Sequence, residues 1–406
     1  MLSIEQRKQF SDILEELGKT LDITPAQHAA AVKSYEFVAG WLSDPSSPLS
    51  IYKPEINPHG SFLIGTATQP IHEEDELDVD LVCRLQGKKA DWTQYDLKKI
   101  IGDRIKAHGT LERLLRAEGR RCWTLGYAES VKFHLDILPA IVNSGYAIIL
   151  EKAFSSNNLD VENLAIRITD KQLPNYKTDT QILRWLQSNP FGYAIWFEQM
   201  SKLDGYKLFS LRESIKPIPS YQPNKLPLQR IVQVLKRHRD LMFNGDEHKP
   251  ISIIITTLAA RAYRKQTDIA QGLVEVLNEM ERFIEERLDP ILGRNVIWIG
   301  NPVNAFENFA DKWPTCQIKQ DNFYRWIRQA KLDVNRIYEQ KGMHNIKNVM
   351  SEAFGSREIE RTFSNMGDNT RILRETGNMS MAAGTGIISS VGRSSIIHHN
   401  NFGKDE

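Results

Sequence analysis

Asp78 and Asp80 stand two residues apart in the strand-like run 77–85. A strand repeats every two residues, so both carboxylates face the same way. Adjacent carboxylates repel unless a cation neutralises them. Hard oxygen donors of this kind suit Mg²⁺ bridged to substrate phosphates. A third aspartate, Asp136, lies on the polar side of a second run, where Val131, Phe133, Leu135 and Ile137 alternate with Lys132, His134 and Asp136. If that strand pairs beside the first, Asp78, Asp80 and Asp136 can hold two metal ions about 4 Å apart. One ion would lower the pKa of an attacking hydroxyl, and the other would stabilise leaving pyrophosphate. His134 shares the face of Asp136 and reads either as a partner behind the metal ligands or as an ordinary polar residue.

Ahead of the first pair runs His59-Gly60-Ser61-Phe62-Leu63-Ile64-Gly65-Thr66. Gly60 has no Cβ, so the backbone can turn sharply and approach a ligand closely. Ser61 adds a hydroxyl, and the following residues read as a helix start, whose free N–H groups favour a phosphate. Gly60, Ser61, Gly65 and Thr66 together suggest a triphosphate cradle. Each piece alone is common: a Gly-Ser turn, or an Asp-x-Asp on a solvated strand edge. The combination, with Asp78 twelve residues after Thr66 and a later apolar strand bearing Asp136, is much more specific than a polar hairpin would require.

The elements that must position these residues can be read in outline. Residues 3–17 form an amphipathic helix through Ile4, Phe10, Ile13, Leu14 and Leu17. Thr24-Pro25 starts a second helix that runs to 42, because Thr caps and Pro suits the first helical position. Residues 91–118 look helical and charged, and residues 121–141 look like strands. Pro217, Pro219, Pro223 and Pro227 punctuate a connector. Helices are expected at 227–243, 251–265, 267–288, 303–313, 319–340 and 343–354. From about 377 small and polar residues dominate, which reads as a flexible tail.

The chain has 406 residues, 41% hydrophobic and 25% charged, which is ample for a core. Lys and Arg total 52 against 51 Asp and Glu, a net charge of +1. A binder of long duplex nucleic acid usually carries a clear basic excess, so small anionic substrates fit this balance at least as well. Cys83, Cys122 and Cys316 are far apart, with neither zinc spacing nor a disulfide framework, and read as free thiols in a reducing, cytoplasmic setting. No stretch of about 18 apolar residues suggests a membrane span. The acidic run Glu73-Glu74-Asp75-Glu76 lacks the glycine and terminal Glu of a calcium loop, and Gly384-Thr385-Gly386 lacks the preceding strand of a nucleotide fingerprint. His398-His399 is a weak metal signal.

The block from Gly60 to Val82 resembles the DNA polymerase β-like nucleotidyltransferases. More narrowly it is similar to the bacterial CD-NTases, relatives of cyclic GMP-AMP synthase and oligoadenylate synthase. Pro70-Ile71, Asn189-Pro190-Phe191-Gly192-Tyr193 with Trp196-Phe197, Lys236 to Asp240, Pro250-Ile251-Ser252, Asn301-Pro302 with Glu307-Asn308, and Asp311-Lys312-Trp313 continue the likeness over roughly 25–355. The resemblance implies an α/β nucleotidyltransferase core with a mixed sheet and a helical C-terminal lobe. The expected division is 1–215 for the core with its N-terminal helices, 216–360 for the helical lobe and 361–406 for the tail.

It further implies linkage of nucleoside triphosphates, ATP among them, into a cyclic di- or trinucleotide or a linear oligonucleotide messenger of CBASS antiphage defence. Two Mg²⁺ ions would serve, with Mn²⁺ able to substitute. Asp78 and Asp80 would bind both metals, Asp136 one of them, and Ser61 the donor phosphates. Lys236 would reach the β- and γ-phosphates, against the plainer reading of a solvated helix face. Ser252 would add a phosphate contact or cap a helix. Asn189-Pro190 reads first as a turn that aims Trp196 and Phe197 into the core, with base stacking on Tyr193 as the bolder option. Ancillary CBASS proteins would meet the tail, where Phe402-Gly403 resembles a conjugated terminus followed by three further residues. Two rivals stay open: an RNA-extending enzyme of the poly(A)- or CCA-adding kind, and a non-catalytic nucleotide-binding scaffold.

Overall fold

A computed structural model describes residues 4–72, 74–127, 132–143, 145–146, 148–149, 161–203, 221–289 and 293–376, with three two-residue strands at 380–381, 388–389 and 394–395. Val131, Pro217, Pro219, the Gly384 segment, His398-His399 and Phe402-Gly403 lie outside the described residues, as does most of the expected tail.

The first half builds a mixed sheet. Helices α1 (Ile4–Leu21) and α2 (Pro25–Ser43) precede strand β1 (Glu55–Pro58), the single turn α3 (Gly60–Leu63) and strand β2 (Leu77–Gln86). Thr24 caps α2 as the sequence suggested, in a reciprocal box with Gln27. Helices α4 (Gln94–Lys106) and α5 (Gly109–Leu114) then carry the chain over to strands β3 (Trp123–Tyr127) and β4 (Phe133–Val142). Strand β5 (Ile166–Ile168), strand β6 (Gln187–Ser188) and helix α6 (Pro190–Ser201) follow. The sheet runs β1-β2-β4-β5-β6, with β3 also on β4.

The pair that matters is β2 with β4. They are parallel, with Asp78 opposite His134 and Asp80 opposite Asp136. Because strand side chains alternate, Leu77, Val79, Leu81, Cys83, Phe133, Leu135 and Ile137 all face the other way. They pack there with Val38 and Leu42 of α2 and with Leu97, Ile101 and Ile105 of α4. Burying that face fixes the register, and the register puts the four polar side chains together.

The second half is mainly helical: α7 (Pro227–Phe243), α8 (Ser252–Ala262), α9 (Ile269–Glu279), α10 (Gln317–Tyr338), α11 (Met343–Phe354) and α12 (Ser356–Glu375). Their apolar sides share one core with Phe10, Ile13, Leu14 and Leu17 of α1. Three expectations are corrected here. The helix expected over 267–288 ends at Glu279; after one 3₁₀ turn the chain becomes strand β7 (Glu285–Asp289), paired with β8 (Arg294–Trp298). The stretch 303–313 is a short antiparallel ribbon of β9 (Gly300–Asn301) and β10 (Asn304–Asn308) followed by turns. Residues 356–375, for which no helix was read, form α12, with Ile359 buried against the helical core. Among the described residues no helix is long and apolar enough to cross a membrane.

Candidate active site

The loop ahead of β2 lies directly over the carboxylates. Gly60 has φ +62°, and a Cβ there would fall 2.1 Å from Asp80 Oδ2, so only glycine fits. The His59 amide donates to the Asp80 carbonyl at 2.9 Å, and the Thr66 amide donates to the Ser61 carbonyl at 2.9 Å. Gly65, at φ +70°, reverses the chain between them. The Ser61 hydroxyl has no partner among the described residues. His59 is partly buried with its Nε2 enclosed, and that desolvation lowers its pKa to about 4 and keeps the imidazole neutral.

One helix fixes the far side of this loop. From α7, Gln229 Nε2 donates to the Ile64 carbonyl (2.9 Å) and Lys236 Nζ to the Thr66 carbonyl (2.8 Å). Gln233 Nε2 donates to the Ala67 carbonyl (2.9 Å) and Arg237 Nη2 to the Gln69 carbonyl (2.8 Å). Positions 229, 233, 236 and 237 share one side of a helix, so successive turns grip successive carbonyls. Lys236 is therefore buried and tied to the cradle, not solvated on an open helix face. Burial, with help from Arg239, lowers its pKa to about 8. Ser252 is the first residue of α8, and its hydroxyl accepts from Arg239 Nη1 at 3.1 Å. It does not cap the helix: Ile251 holds the capping position, without a side-chain bond.

Asp78, His134 and Asp136 form the tightest set, one ligand atom of each lying within 4.8 Å of the others. Asp80 sits beside them under Gly60. Burial raises the Asp80 pKa well above the usual carboxylate range, and the charges of Asp78 and Asp136 push it further. Burial likewise raises Asp136, although Thr124 Oγ1 donates to its Oδ1 at 2.5 Å. Cys122 feels the same cluster: burial, then Asp136 and Asp80, raise its thiol to about 12. These carboxylates resist carrying their charges together, which is the condition a divalent cation relieves. The donor set fits such an ion.

The structure sharpens the reading of His134 and adds Glu76 and Arg116 to the site. His134 is within 3.2 Å of Asp78 Oδ1 through Nε2 and of Glu76 Oε2 through Nδ1. The hydrogen bond to Asp78 is the main cause of a raised His134 pKa. Glu76, read in the sequence only as part of an acidic run that fails as a calcium loop, also accepts from the Arg116 guanidinium, and that bond lowers its pKa. A signal was available for His134, which precedes Asp136 by two residues as Asp78 precedes Asp80. Nothing local pointed to Arg116. Asn189 caps α6 by accepting from the Gly192 amide at 2.9 Å, and Phe197 behind it is buried. Trp196 packs partly buried against the helical core. Tyr193 is buried with its hydroxyl 2.9 Å from Thr257 Oγ1, so it offers no face to a base.

No family model matches the chain. It is 25% identical over 407 aligned residues to a c-di-GMP synthase of Roseivirga ehrenbergii, covering 99% of each protein. The cyclic dinucleotide synthase CdnG of Bradyrhizobium diazoefficiens is 22% identical over 371 residues, 86% of this chain and 81% of that one. The structure of CdnG, a CD-NTase in complex with GTP, superposes with a TM-score of 0.64 at 19% identity, covering 88% of this chain and 99% of that one. The chain has the fold of this CD-NTase. The Vibrio cholerae cyclic AMP-GMP synthase DncV, bound to a linear intermediate, shares that fold at a TM-score of 0.51 and 14% identity, covering 88% of this chain and 91% of that one. Within the CD-NTase fold, the mixed sheet carries the carboxylates and α7 carries the grip on the loop.

Proposed function

We propose that this protein is a metal-dependent nucleotidyltransferase that joins nucleoside triphosphates into a cyclic dinucleotide or a related oligonucleotide messenger of CBASS defence. The observation that carries this reading is the convergence of Asp78, Asp80 and Asp136, from two parallel strands, beneath the Gly60–Thr66 loop. Support comes from likeness along the whole chain to a c-di-GMP synthase. GTP is the first substrate to test, because the CdnG structure is in complex with GTP, and ATP, the substrate expected from the sequence, is the second.

In the reaction, a ribose hydroxyl oxygen bonds to the α-phosphorus of a triphosphate, the bond to the bridging oxygen breaks, and pyrophosphate leaves. The protein positions the groups and stabilises charge; it forms no covalent bond. Gly60 lets the backbone come close to the donor phosphates, Ser61 offers its free hydroxyl to them, and Gly65 and Thr66 close the cradle. Lys236 adds positive charge behind Thr66, and Arg239, next along that helix, donates to the hydroxyl of Ser252 on α8. Asp78, Asp80 and Asp136 would hold two Mg²⁺ or Mn²⁺ ions, which supply Lewis acidity to the attacking and leaving oxygens. Asp136, fixed by Thr124, orients the acceptor hydroxyl.

We assign 1–215 to the catalytic core and the helical lobe to the region from 216. Because α12 packs on that lobe through Ile359, Phe363 and Met366, the lobe runs on to 375 instead of the expected 360, and the tail that meets ancillary proteins begins after it, with α1 lending its apolar side to the lobe. Three unpaired thiols suit a reducing cytoplasm. The test is incubation with labelled ATP, CTP, GTP and UTP plus Mg²⁺ or Mn²⁺, followed by phosphatase treatment and mass spectrometry. A phosphatase-resistant product from wild type and none from Asp78→Asn/Asp80→Asn supports the reading. Primer extension in place of a small product overturns the messenger, and no pyrophosphate release overturns the enzyme.

A further inference from the structure

The tightest grouping of metal-ligating atoms is not three carboxylates. It is two carboxylates and an imidazole: Asp78, His134 and Asp136. The register explains the grouping. With β2 and β4 parallel, His134 stands opposite Asp78 as Asp136 stands opposite Asp80, so the polar face is a square of four side chains.

The imidazole is also held as a ligating imidazole is held. Its Nδ1 meets Glu76 Oε2 at 3.2 Å, and Glu76 is gripped from the other side by Arg116. Arg116 in turn is anchored where its amide donates to the Thr124 carbonyl at 2.9 Å, on the strand beside β4. A carboxylate behind one ring nitrogen fixes the ring orientation and leaves the other nitrogen for a metal. That other nitrogen, Nε2, is hydrogen-bonded to Asp78 Oδ1 at 3.2 Å, a contact that an ion shared by the ring and the carboxylate would replace. A histidine there only to fill a polar strand face would not need an ion-paired carboxylate behind it.

We propose that His134 is a nitrogen ligand of the metal site, so that the site prefers a first-row transition ion such as Mn²⁺ or Co²⁺ over Mg²⁺ by more than carboxylates alone would give. Mg²⁺ keeps oxygen ligands and gives up water reluctantly. An imidazole nitrogen adds little for Mg²⁺ and more for the later ions. Glu76 is a positioning residue for that nitrogen. The inference rests on the function proposed above, and its test separates the two.

The test uses the full chain with Mn²⁺, with and without GTP. Electron spin-echo envelope modulation of the bound Mn²⁺ reads directly whether a ¹⁴N nucleus is coordinated. Competition titration gives the Mn²⁺ and Mg²⁺ affinities of wild type, His134→Gln and Glu76→Gln. Nitrogen coupling is expected in wild type, and its loss in His134→Gln. Mn²⁺ affinity should fall about 10-fold in His134→Gln with Mg²⁺ affinity little changed, and by less in Glu76→Gln. Mn²⁺ bound without nitrogen coupling, coupling that survives in His134→Gln, or an equal loss for both ions overturns the inference and leaves the carboxylate site standing. Failure of wild type to bind Mn²⁺ with GTP present overturns the metal site and this inference together. The wild-type spectrum decides even if a variant does not fold.

Discussion

Two clusters of charge adjoin the Gly60–Thr66 loop, and they are built on opposite rules. Around Asp22 every charge is answered. Its Oδ1 accepts from Lys225 (2.5 Å) and Gln233 (2.8 Å), and its Oδ2 accepts from Arg230 (2.7 Å). Arg230 is fully buried and also donates to Gln233 and to the Pro223 carbonyl. Around Asp80 the neighbours are further carboxylates, and no donor among the described residues reaches its side chain. The first cluster compensates its own desolvation, so it serves the fold. The second gathers more carboxylate charge than His134 answers, and there an incoming cation has charge to neutralise. Burial alone does not distinguish structure from function; the completeness of the pairing does.

The largest expected contrast is in activity against stability. Asp78→Asn/Asp80→Asn should reduce product formation by about 1,000-fold or more, the scale of losing several kcal/mol of charge stabilisation. In chelator-treated protein the same change should leave the melting temperature unchanged or higher, since it removes mutual repulsion. Asp22→Ala should do the reverse. Stranding Arg230 and Lys225 without their partner costs about 3–5 kcal/mol, which chemical denaturation would detect. If Asp22→Ala melts like wild type, the comparison breaks.

Added divalent cation sharpens the point. At a free concentration about 100 times its Kd it should stabilise wild type by about 2.7 kcal/mol and the double Asn variant not at all, read by thermal unfolding. Gly60→Ala should then lower activity by about 100-fold through displacement of Asp80, with a smaller stability cost of about 1–2 kcal/mol from the positive φ.

The smallest effect is a pH slope. The folded protein lowers the Lys236 pKa from 10.5 to about 8, so it binds this proton less tightly than the unfolded chain does. The resulting penalty is full below pH 8 and shrinks as pH rises above it. From pH 8 to 9.5, wild type should gain stability relative to Lys236→Met, by at most about 1.4 kcal/mol per pH unit.

Much of this was legible in the sequence, and the gaps have physical causes. The Asp-x-Asp strand, the Gly-Ser loop and the alternating strand of Asp136 are local patterns, and all three formed as read. Their meeting depended on a parallel pairing across about 50 residues, which no local pattern specifies. Glu76 and Arg116 became meaningful only through that pairing. The Asp22 cluster joins residues some 200 positions apart, and each of its members looks like ordinary surface charge in the sequence. The helix expected to reach 288 was extended too far by Phe283 and Ile284, whose apolar character continued the period through a 3₁₀ turn that leads into a hairpin. Helix α12 was passed over for its polar composition, although Ile359, Phe363 and Met366 trace a stripe that packs on the helical core.

The grip of α7 on the loop has a dynamic consequence. Gln229, Gln233, Lys236 and Arg237 clasp four carbonyls between Ile64 and Gln69, so peeling the loop away would break four bonds at once. Loop and helix must travel as one piece. A mouth that opens to admit nucleotide therefore opens between that piece and the β2–β4 strands, and the joints to watch are the two places where the segment meets the sheet, at His59 after β1 and ahead of Leu77 on β2.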